Sequence, residues 1–220
     1  DTIIDQIVVI YKASLILGHN PKAWCQSKVI FIPKGGKTYD VAKSFRPISL
    51  TSFLYKGLER LVQWELNESY RIPQKMHKNQ FAFAKDKSTE GALSQVVDKI
   101  EAGLLRNQYT LGIFCDISGA FDSIKISSIV KGMIEKGVPP FLIKWFENCL
   151  KTRTATATIQ NDSITRYLTQ GVSQGGVGSP LAWNLSIDDI LQKLDKPPVS
   201  LVGFADDLCL LISGSDSNEL

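Results

Sequence analysis

The feature that most constrains the fold is a pair of short apolar runs, 200–204 and 208–212, which are separated only by Ala205-Asp206-Asp207. Short apolar runs bounded by turn residues are typical of buried strands, so the sequence predicts an antiparallel hairpin with two carboxylates at its tip. A further apolar run, 111–115, stops at Asp116 and also has the pattern of a buried strand. If this strand lies beside the hairpin, three carboxylates meet at one edge of a sheet.

The order of elements after residue 109 predicts an α+β fold, with an antiparallel sheet that carries helices on one face. A strand is followed by helices, a hairpin at 153–168, a glycine-rich loop at 170–179, a further helix and the final hairpin. The boundary between two subdomains is predicted near 107–109, so that 1–108 and 109–220 form separate units.

The composition excludes several classes of protein. Apolar residues make up 44% of the chain and charged residues 21%, which is typical of a globular domain and not of a disordered tail or a collagen-like rod. The apolar runs are all shorter than the ~18 residues that a membrane span needs, so no membrane partner is expected. The helical spacing at 3–17 is interpreted as a core helix. No signal peptide pattern is present. Because the chain begins at Asp1 and not at an initiator Met, it is interpreted as a piece of a longer polypeptide.

The four cysteines are too scattered for a disulfide framework or a CxxC metal site. Cys115 and Cys209 lie inside apolar runs, where a free thiol behaves as a small apolar group. This usage favours a reducing compartment, so we expect the protein in the nucleus and cytoplasm.

The charge is distributed unevenly along the chain. Residues 22–87 contain thirteen Lys and Arg against five Asp and Glu, whereas residues 111–220 contain nine against twelve. A basic first half and an acidic second half suggest that one part binds a polyanion and the other binds cations. A mixed, solvated surface is the alternative interpretation.

The carboxylates could be only a polar hairpin tip, but their neighbours favour a site. At a separation of ~4 Å and an effective dielectric constant near 20, each like-charged pair costs roughly 4 kcal/mol. Divalent cations with oxygen ligands relieve that repulsion, and Mg²⁺ typically binds one or two carboxylates plus substrate phosphates. Two such ions would support phosphoryl or nucleotidyl transfer. The spacing does not separate a polymerase from a nuclease or a cyclase.

Several segments, in this order along nearly the whole chain, resemble motifs of the reverse transcriptases of non-LTR (LINE-type) retrotransposons. They are Ile32-Pro-Lys-Gly-Gly-Lys37, Phe45-Arg-Pro-Ile-Ser-Leu50, Asn79-Gln-Phe-Ala-Phe83 with Lys87-Ser-Thr-Glu90, Asp116-Ile-Ser-Gly-Ala-Phe-Asp122, Gly171-Val-Ser-Gln-Gly-Gly-Val-Gly-Ser-Pro-Leu181 and Phe204-Ala-Asp-Asp207.

The resemblance implies a right-hand polymerase with an N-terminal helix and the fingers in 1–108 and the palm in 109–220, and with the thumb absent. Asp116, Asp206 and Asp207 would be the catalytic carboxylates, and together with the backbone carbonyl of Ile117 they would bind two Mg²⁺ ions, or Mn²⁺ in their place.

The resemblance also implies the substrates: an RNA template, a DNA primer and a deoxynucleoside triphosphate (dNTP). The parent polyprotein would supply the thumb, and also the endonuclease domain that non-LTR elements often carry. The residues that would contact the dNTP are Lys34, Arg46, Ala120, Phe121, Gln174 and Gly175, and those that would contact the primer end are Phe204 and Ala205.

The sequence departs from the family pattern at Ser173, which replaces a proline, and at Gly178, which replaces an apolar residue. Phe121 could be an ordinary core residue instead of a sugar contact. Two alternatives to RNA-templated DNA synthesis remain open at this point. One is a truncated or domesticated fragment that binds nucleic acid or a partner without catalysis, and the other is an RNA-templated RNA polymerase or a group II intron maturase.

Overall fold

After residue 109, the helices and strands follow one another in the order that the sequence patterns predict. The computed structural model of the protein describes residues 2–36 and 38–216, so Lys37 of the first motif lies outside the described residues. The helices are α1 (Ile3–Leu17), α2 (Phe53–Glu68), α3 (Thr89–Leu105), α4 (Ala120–Ser123), α5 (Ile126–Glu135), α6 (Pro140–Lys151) and α7 (Ser179–Leu194). The strands are β1 (Gln26–Pro33), β2 (Phe45–Leu50), β3 (Tyr109–Asp116), β4 (Thr154–Ile159), β5 (Asp162–Tyr167), β6 (Val199–Phe204) and β7 (Asp207–Gly214).

A three-stranded antiparallel sheet, in the order β3-β7-β6, is formed by the apolar runs of the second half. This sheet confirms the predicted α+β class, but helices cover both of its faces instead of one. Leu201 and Leu208 belong to the core beside α7, whereas Val202 and Cys209 pack with Ala92 of α3 on the other face. Because successive strand residues point to opposite faces, a strand that is apolar at every position needs a cover on each side.

A four-stranded mixed sheet, in the order β2-β1-β4-β5, joins early and late parts of the chain. Strand β1 pairs antiparallel with β2 and parallel with β4, and the register places Gln26 opposite Thr154. The hairpin of β4 and β5 therefore completes a sheet that begins before residue 50. The subdomain boundary near 107–109 stays a prediction, and this sheet draws strands from both sides of it.

The main core lies among α2, α5, α6, α7 and the three-stranded sheet. Leu58, Ile129, Trp145 and Leu185 are almost completely inaccessible to solvent. Helices α5 and α7 approach closely at Gly132, where an added Cβ would lie 2.4 Å from the carbonyl oxygen of Leu185. The helices thus form a rigid support beneath the sheet that carries the carboxylates.

Two predictions about burial are wrong. Helix α1 is not a core helix, since Ile3, Ile4, Val9 and Ile16 are each at least 65% exposed. It docks on α6 along one edge, where the buried Ser14 hydroxyl accepts a hydrogen bond from the indole of Trp145 at 3.0 Å. Helical spacing identifies apolar positions, but it does not reveal whether another element covers them.

Strand β3 is exposed, although its apolar run predicts a buried strand. Phe114 is 75% exposed and Ile113 is 44% exposed. The strand lies at the edge of its sheet, with β7 as its neighbour. Cys115 is exposed for the same reason.

None of the helices in the described ranges combines the length and apolar character that a membrane span requires.

Candidate active site

The three predicted carboxylates lie at one end of the three-stranded sheet. The antiparallel register of β3 and β7 places Asp116 directly opposite Asp207. Asp206 belongs to the two-residue connection between β6 and β7, and its carbonyl accepts a hydrogen bond from the Ile117 amide at 3.1 Å. Side chains at directly opposed positions of an antiparallel pair have Cβ atoms ~5 Å apart. The backbone therefore brings Asp116 and Asp207 together and keeps Asp206 next to them.

The chemistry of these residues fits Mg²⁺, a hard cation that prefers oxygen ligands. Within residues 2–36 and 38–216, no three His, Cys, Asp or Glu side chains converge tightly enough to enclose a metal ion by themselves. Mg²⁺ typically binds only one or two protein carboxylates when substrate phosphates complete its coordination. The roles of the individual aspartates as ligands stay predictions.

The connection Ala205-Asp206, which we call the aspartate turn, has a left-handed residue at its first position. Ala205 has φ +55° and is buried. Its amide donates to Oε1 of Gln80 at 3.1 Å, and its carbonyl accepts from the indole Nε1 of Trp183 at 3.0 Å. Neither partner was identified as a site residue from the sequence. Gln80 lies within Asn79–Phe83, one of the segments that resemble the family motifs, and this position could have identified it as a site residue.

The glycine-rich loop, residues 170–179, connects the segment that follows β3 to strand β2. The Gly171 amide donates to the Ile124 carbonyl and the Val172 amide donates to the Phe121 carbonyl, both at 2.7 Å. On its other side, the Gln174 carbonyl accepts from the Ser49 amide at 2.8 Å. Two of the predicted dNTP contacts, Gln174 and Gly175, therefore lie between β2 and the segment that contains Phe121.

Two buried charged residues that the sequence analysis missed support this loop. Arg153 donates to the Gly171 carbonyl at 2.7 Å and to the Ser173 hydroxyl at 3.3 Å. Glu59 accepts from the Val177 amide at 3.3 Å. Burial raises the pKa of Glu59 and lowers the pKa of Arg153. Glu59 directly follows Leu58, one of the apolar residues of α2 at helical spacing. A charged residue next to these apolar positions could have indicated a buried, functional carboxylate.

Phe121 is half-buried in a cluster of aromatic rings. Its ring stacks on Trp183 with centroids 5.8 Å apart and an interplanar angle of 14°, and the edge of Phe83 meets it at 6.0 Å. The preceding residue, Ala120, is buried. This environment is compatible both with a rigid floor for a sugar and with an ordinary position at the rim of the core.

The predicted triphosphate contacts lie at the β1–β2 hairpin. Arg46 is exposed on β2 and opposes Ile32 of β1 in the register. Lys34 follows β1, and its amide donates to the Ser44 carbonyl at 2.8 Å. Ser49, which bonds to the glycine-rich loop, lies on the same strand as Arg46. The loop is therefore hydrogen-bonded to the strand that carries this predicted phosphate contact.

The predicted primer contacts lie on the other side of the carboxylates. Phe204 ends β6 and opposes Asp207 in the register. It lines a cavity of about 400 Å³ between α3 and the three-stranded sheet, together with Phe114 and Asp116. The cavity opens beside the carboxylates and is mostly apolar.

The structure thus combines carboxylates at the end of an antiparallel sheet with a β hairpin that carries exposed basic residues, and the division into fingers and palm stays a prediction. The solved telomerase of Candida tropicalis, in its apo form truncated from the C-terminal domain, superposes with a TM-score of 0.61 at 13% identity, over 89% of this chain and 44% of that chain. This likeness shows the fold.

Residues 32–219 match the family model described as reverse transcriptase (RNA-dependent DNA polymerase). The chain therefore belongs to the reverse transcriptase family.

The relatives of this chain confirm its resemblance to the non-LTR retrotransposon polymerases. It is 29% identical over 219 residues to the probable RNA-directed DNA polymerase from transposon BS of Drosophila melanogaster, covering 97% of this chain and 24% of the relative. It is 28% identical to the RNA-directed DNA polymerase from mobile element jockey of Drosophila melanogaster, covering 96% of this chain and 24% of the relative. The chain thus spans about a quarter of the length of these curated relatives.

Proposed function

We propose that this chain carries the nucleotidyl-transfer site of an RNA-directed DNA polymerase that works as part of a longer retrotransposon polyprotein. The observation that carries the proposal is the pairing of Asp116 with Asp207 at the strand ends, with Asp206 in the adjoining turn. The primer 3′-oxygen forms a bond to the α-phosphorus of the dNTP. The bond from that phosphorus to the bridging oxygen of the β-phosphate breaks, and pyrophosphate leaves.

The aspartates supply the charge that this reaction needs. Asp116, Asp206, Asp207 and the carbonyl of Ile117 would hold Mg²⁺, or Mn²⁺, which when bound neutralises phosphate charge and favours deprotonation of the 3′-hydroxyl. Most of the remaining catalysis is positioning of the two reacting groups.

The other predicted residues orient the substrates around that centre. Lys34 and Arg46 bind the triphosphate, and Gln174 with Gly175 support the incoming nucleotide from the glycine-rich loop. Ala120 and Phe121 lie under its sugar, while Phe204 and Ala205 contact the primer end. The support for this arrangement is that β2, the loop and the Phe121 segment are hydrogen-bonded to one another.

The test of the proposed function is primer extension on an RNA template with Mg²⁺ and dNTPs, for this chain and for the full-length parent polyprotein. Extension by the parent, abolished by substitution of the aspartates, supports the proposal. Binding of the primer–template without extension by either protein would contradict it and favour a non-catalytic fragment. Incorporation of ribonucleotides alone would favour an RNA polymerase.

Nucleus and cytoplasm remain our proposal for the location of the protein. All four cysteines are free thiols, which suits a reducing compartment.

Nucleic acid binding by this chain should fall steeply with salt, because the basic 22–87 region would bind phosphates. Lys28, Lys43 and Arg46 are exposed on or beside the β1–β2 hairpin. With ~5 phosphate contacts, the affinity for an RNA–DNA hybrid should fall about 10²- to 10³-fold between ~50 and ~200 mM salt. Fluorescence anisotropy titrations measure this slope.

The variant Lys43→Gln should reduce the salt slope by about one contact. The matched control is Lys193→Gln, because the Lys193 ammonium is already paired with Asp189 at 2.7 Å, and its slope should stay that of the wild type. An affinity that is flat across this salt range would contradict the electrostatic interface.

Replacing Phe121 by Val should raise the use of ribonucleotides relative to deoxynucleotides. A bulky ring under the sugar excludes a 2′-hydroxyl through a clash, and a smaller side chain removes that clash. Steady-state kinetics with matched ribo- and deoxynucleotides in the full-length parent measure the ratio of the two kcat/KM values. We expect this ratio to rise at least tenfold, while deoxynucleotide incorporation falls much less.

The control for Phe121→Val is Phe81→Val, which removes another half-buried ring, from the cluster beside α3. Both changes should lower the free energy of unfolding, by about 1–3 kcal/mol, but only Phe121→Val should alter the sugar ratio. An unchanged ratio would assign Phe121 to the core.

A further inference from the structure

We propose that Gln80 is a positioning residue that fixes the backbone of the aspartate turn and thereby the place of Asp206 relative to Asp116. The inference rests on the proposed function for its effect on catalysis, but its structural part can be tested without any activity.

The side-chain amide of Gln80 offers an acceptor and a donor to the backbone of Ala205, as the peptide groups of a neighbouring strand would. Its Oε1 accepts the Ala205 amide at 3.1 Å, and its Nε2 lies 3.5 Å from the Ala205 carbonyl. Gln80 is 3% exposed, so these bonds are made where water does not compete for them. The carbonyl of Ala205 has a second donor in Trp183. Among the described residues, the Ala205 amide donates its hydrogen bond to Oε1 of Gln80.

The turn needs this support because of its backbone conformation. Ala205 has φ +55°, a left-handed conformation that costs a residue with a Cβ roughly 1–2 kcal/mol. Without a partner for its amide, the turn would relax toward a conformation that alanine prefers. Asp206 follows Ala205 directly, so such a change would move its carboxylate away from β3.

Gln80 is itself held rigidly against the hairpin. The neighbouring Phe81 amide donates to the Gly203 carbonyl, and the Gly203 amide donates to the Asn79 carbonyl, both at 2.8 Å. Oε1 of Gln80 also accepts the Ala82 amide at 3.0 Å, which fixes the orientation of the side chain. A Cβ at position 203 would lie 3.5 Å from Gln80 Nε2 and 3.2 Å from Leu208. The amide is therefore packed in place before any substrate arrives.

A direct test is hydrogen exchange of the Ala205 amide, measured by NMR on the 220-residue chain. In Gln80→Met, which keeps the length of the side chain and removes its hydrogen bonds to Ala205 and Ala82, this amide should exchange severalfold faster than in the wild type. The matched control is Gln95→Met, which removes the bond from Gln95 to the Asn79 side chain at 3.0 Å but none of the hydrogen bonds to Ala205. Unchanged exchange of Ala205 in Gln80→Met would overturn the proposal.

The catalytic consequence is tested by primer extension in the full-length parent. Gln80→Met should lower kcat about 10- to 100-fold, because a displacement of the order of 1 Å in a catalytic group has an effect of this size. The KM for dNTP should stay close to that of the wild type, and the binding of Mn²⁺ to the substrate-free protein, followed by electron paramagnetic resonance, should weaken. An equal loss of kcat in Gln95→Met would reduce Gln80 to a general structural role and overturn the proposal.

The variant Ala205→Gly distinguishes a positioning role of Gln80 from a general contribution of Gln80 to folding. Glycine adopts the left-handed conformation without strain. Adding Gln80→Met to the Ala205→Gly variant should therefore lower kcat by a smaller factor than adding Gln80→Met to the wild type. A loss of the same size in both backgrounds would contradict the role of the turn.

Should Gln80→Met fail to fold, Gln80→Asn tests the same point, since it retains the amide but is too short to reach Ala205. Absence of extension by the wild-type parent would refute the proposed function, and the exchange measurement would still decide whether Gln80 fixes the turn.

Discussion

Replacing Asp206 by Asn is expected to reduce nucleotide addition by the full-length parent about a thousandfold while leaving the fold intact. The substitution removes one negative charge from the carboxylate cluster but keeps the size of the side chain and the bond from the Ile117 amide to the residue 206 carbonyl. A loss of ~4 kcal/mol of transition-state stabilisation corresponds to this factor. Single-turnover primer extension on an RNA template measures it.

The control for Asp206→Asn is Asp162→Asn, which makes the same change of charge at the exposed start of β5 and should leave the rate unaltered. In the substrate-free protein, Asp206→Asn should unfold at the same or a higher denaturant concentration than the wild type, because repulsion within the cluster is reduced. A rate within tenfold of the wild type would remove Asp206 from the metal site.

Replacing Gly171 by Ala is expected to destabilise the protein by about 2–5 kcal/mol, a large part of the stability of an ordinary domain. Gly171 has φ +74°, and an added Cβ would lie 2.7 Å from the carbonyl oxygen of Asp122. The left-handed conformation contributes ~1–2 kcal/mol of this penalty, and the clash with backbone contributes ~1–3 kcal/mol. Urea unfolding of wild type and variant measures the difference.

The matched control is Gly36→Ala, since Gly36 has φ +73° but no atom within 4 Å of an added Cβ. It should lose only the conformational part, ~1–2 kcal/mol. Equal losses at the two positions would show that the contact between the glycine-rich loop and the Asp122 backbone is unimportant. In the full-length parent, Gly171→Ala should also lower dNTP incorporation, because the displaced loop carries Gln174.

The strands that carry the carboxylates could be predicted from the sequence because strands and tight turns depend on local patterns. An apolar run that ends at Asp116 and two apolar runs around Asp206-Asp207 are sufficient to specify strands and a tight connection. Antiparallel pairing then places their ends at one edge, which the register of Asp116 with Asp207 confirms.

The partners that support the site could not be predicted in this way. Arg153 acts through bonds to carbonyls of the glycine-rich loop, and Gln80 acts through an amide 125 positions away. Neither residue type is unusual in its local context, so its role appears only when distant segments meet. The same limit explains α1 and β3, whose apolar residues were predicted to be buried without knowledge of what lies against them.

The parallel pairing of β1 with β4 has a consequence for the order of events during translation. The Ser27 hydroxyl bonds to the Thr154 carbonyl, 127 positions later. At ~5–20 residues per second, about 6–25 seconds pass between the synthesis of these two strands. During that interval one edge of β1 is open to unrelated chains, and unpaired edges promote aggregation. Fragments that end before β4 should therefore accumulate as insoluble protein, whereas chains that extend through β5 should be recovered in solution.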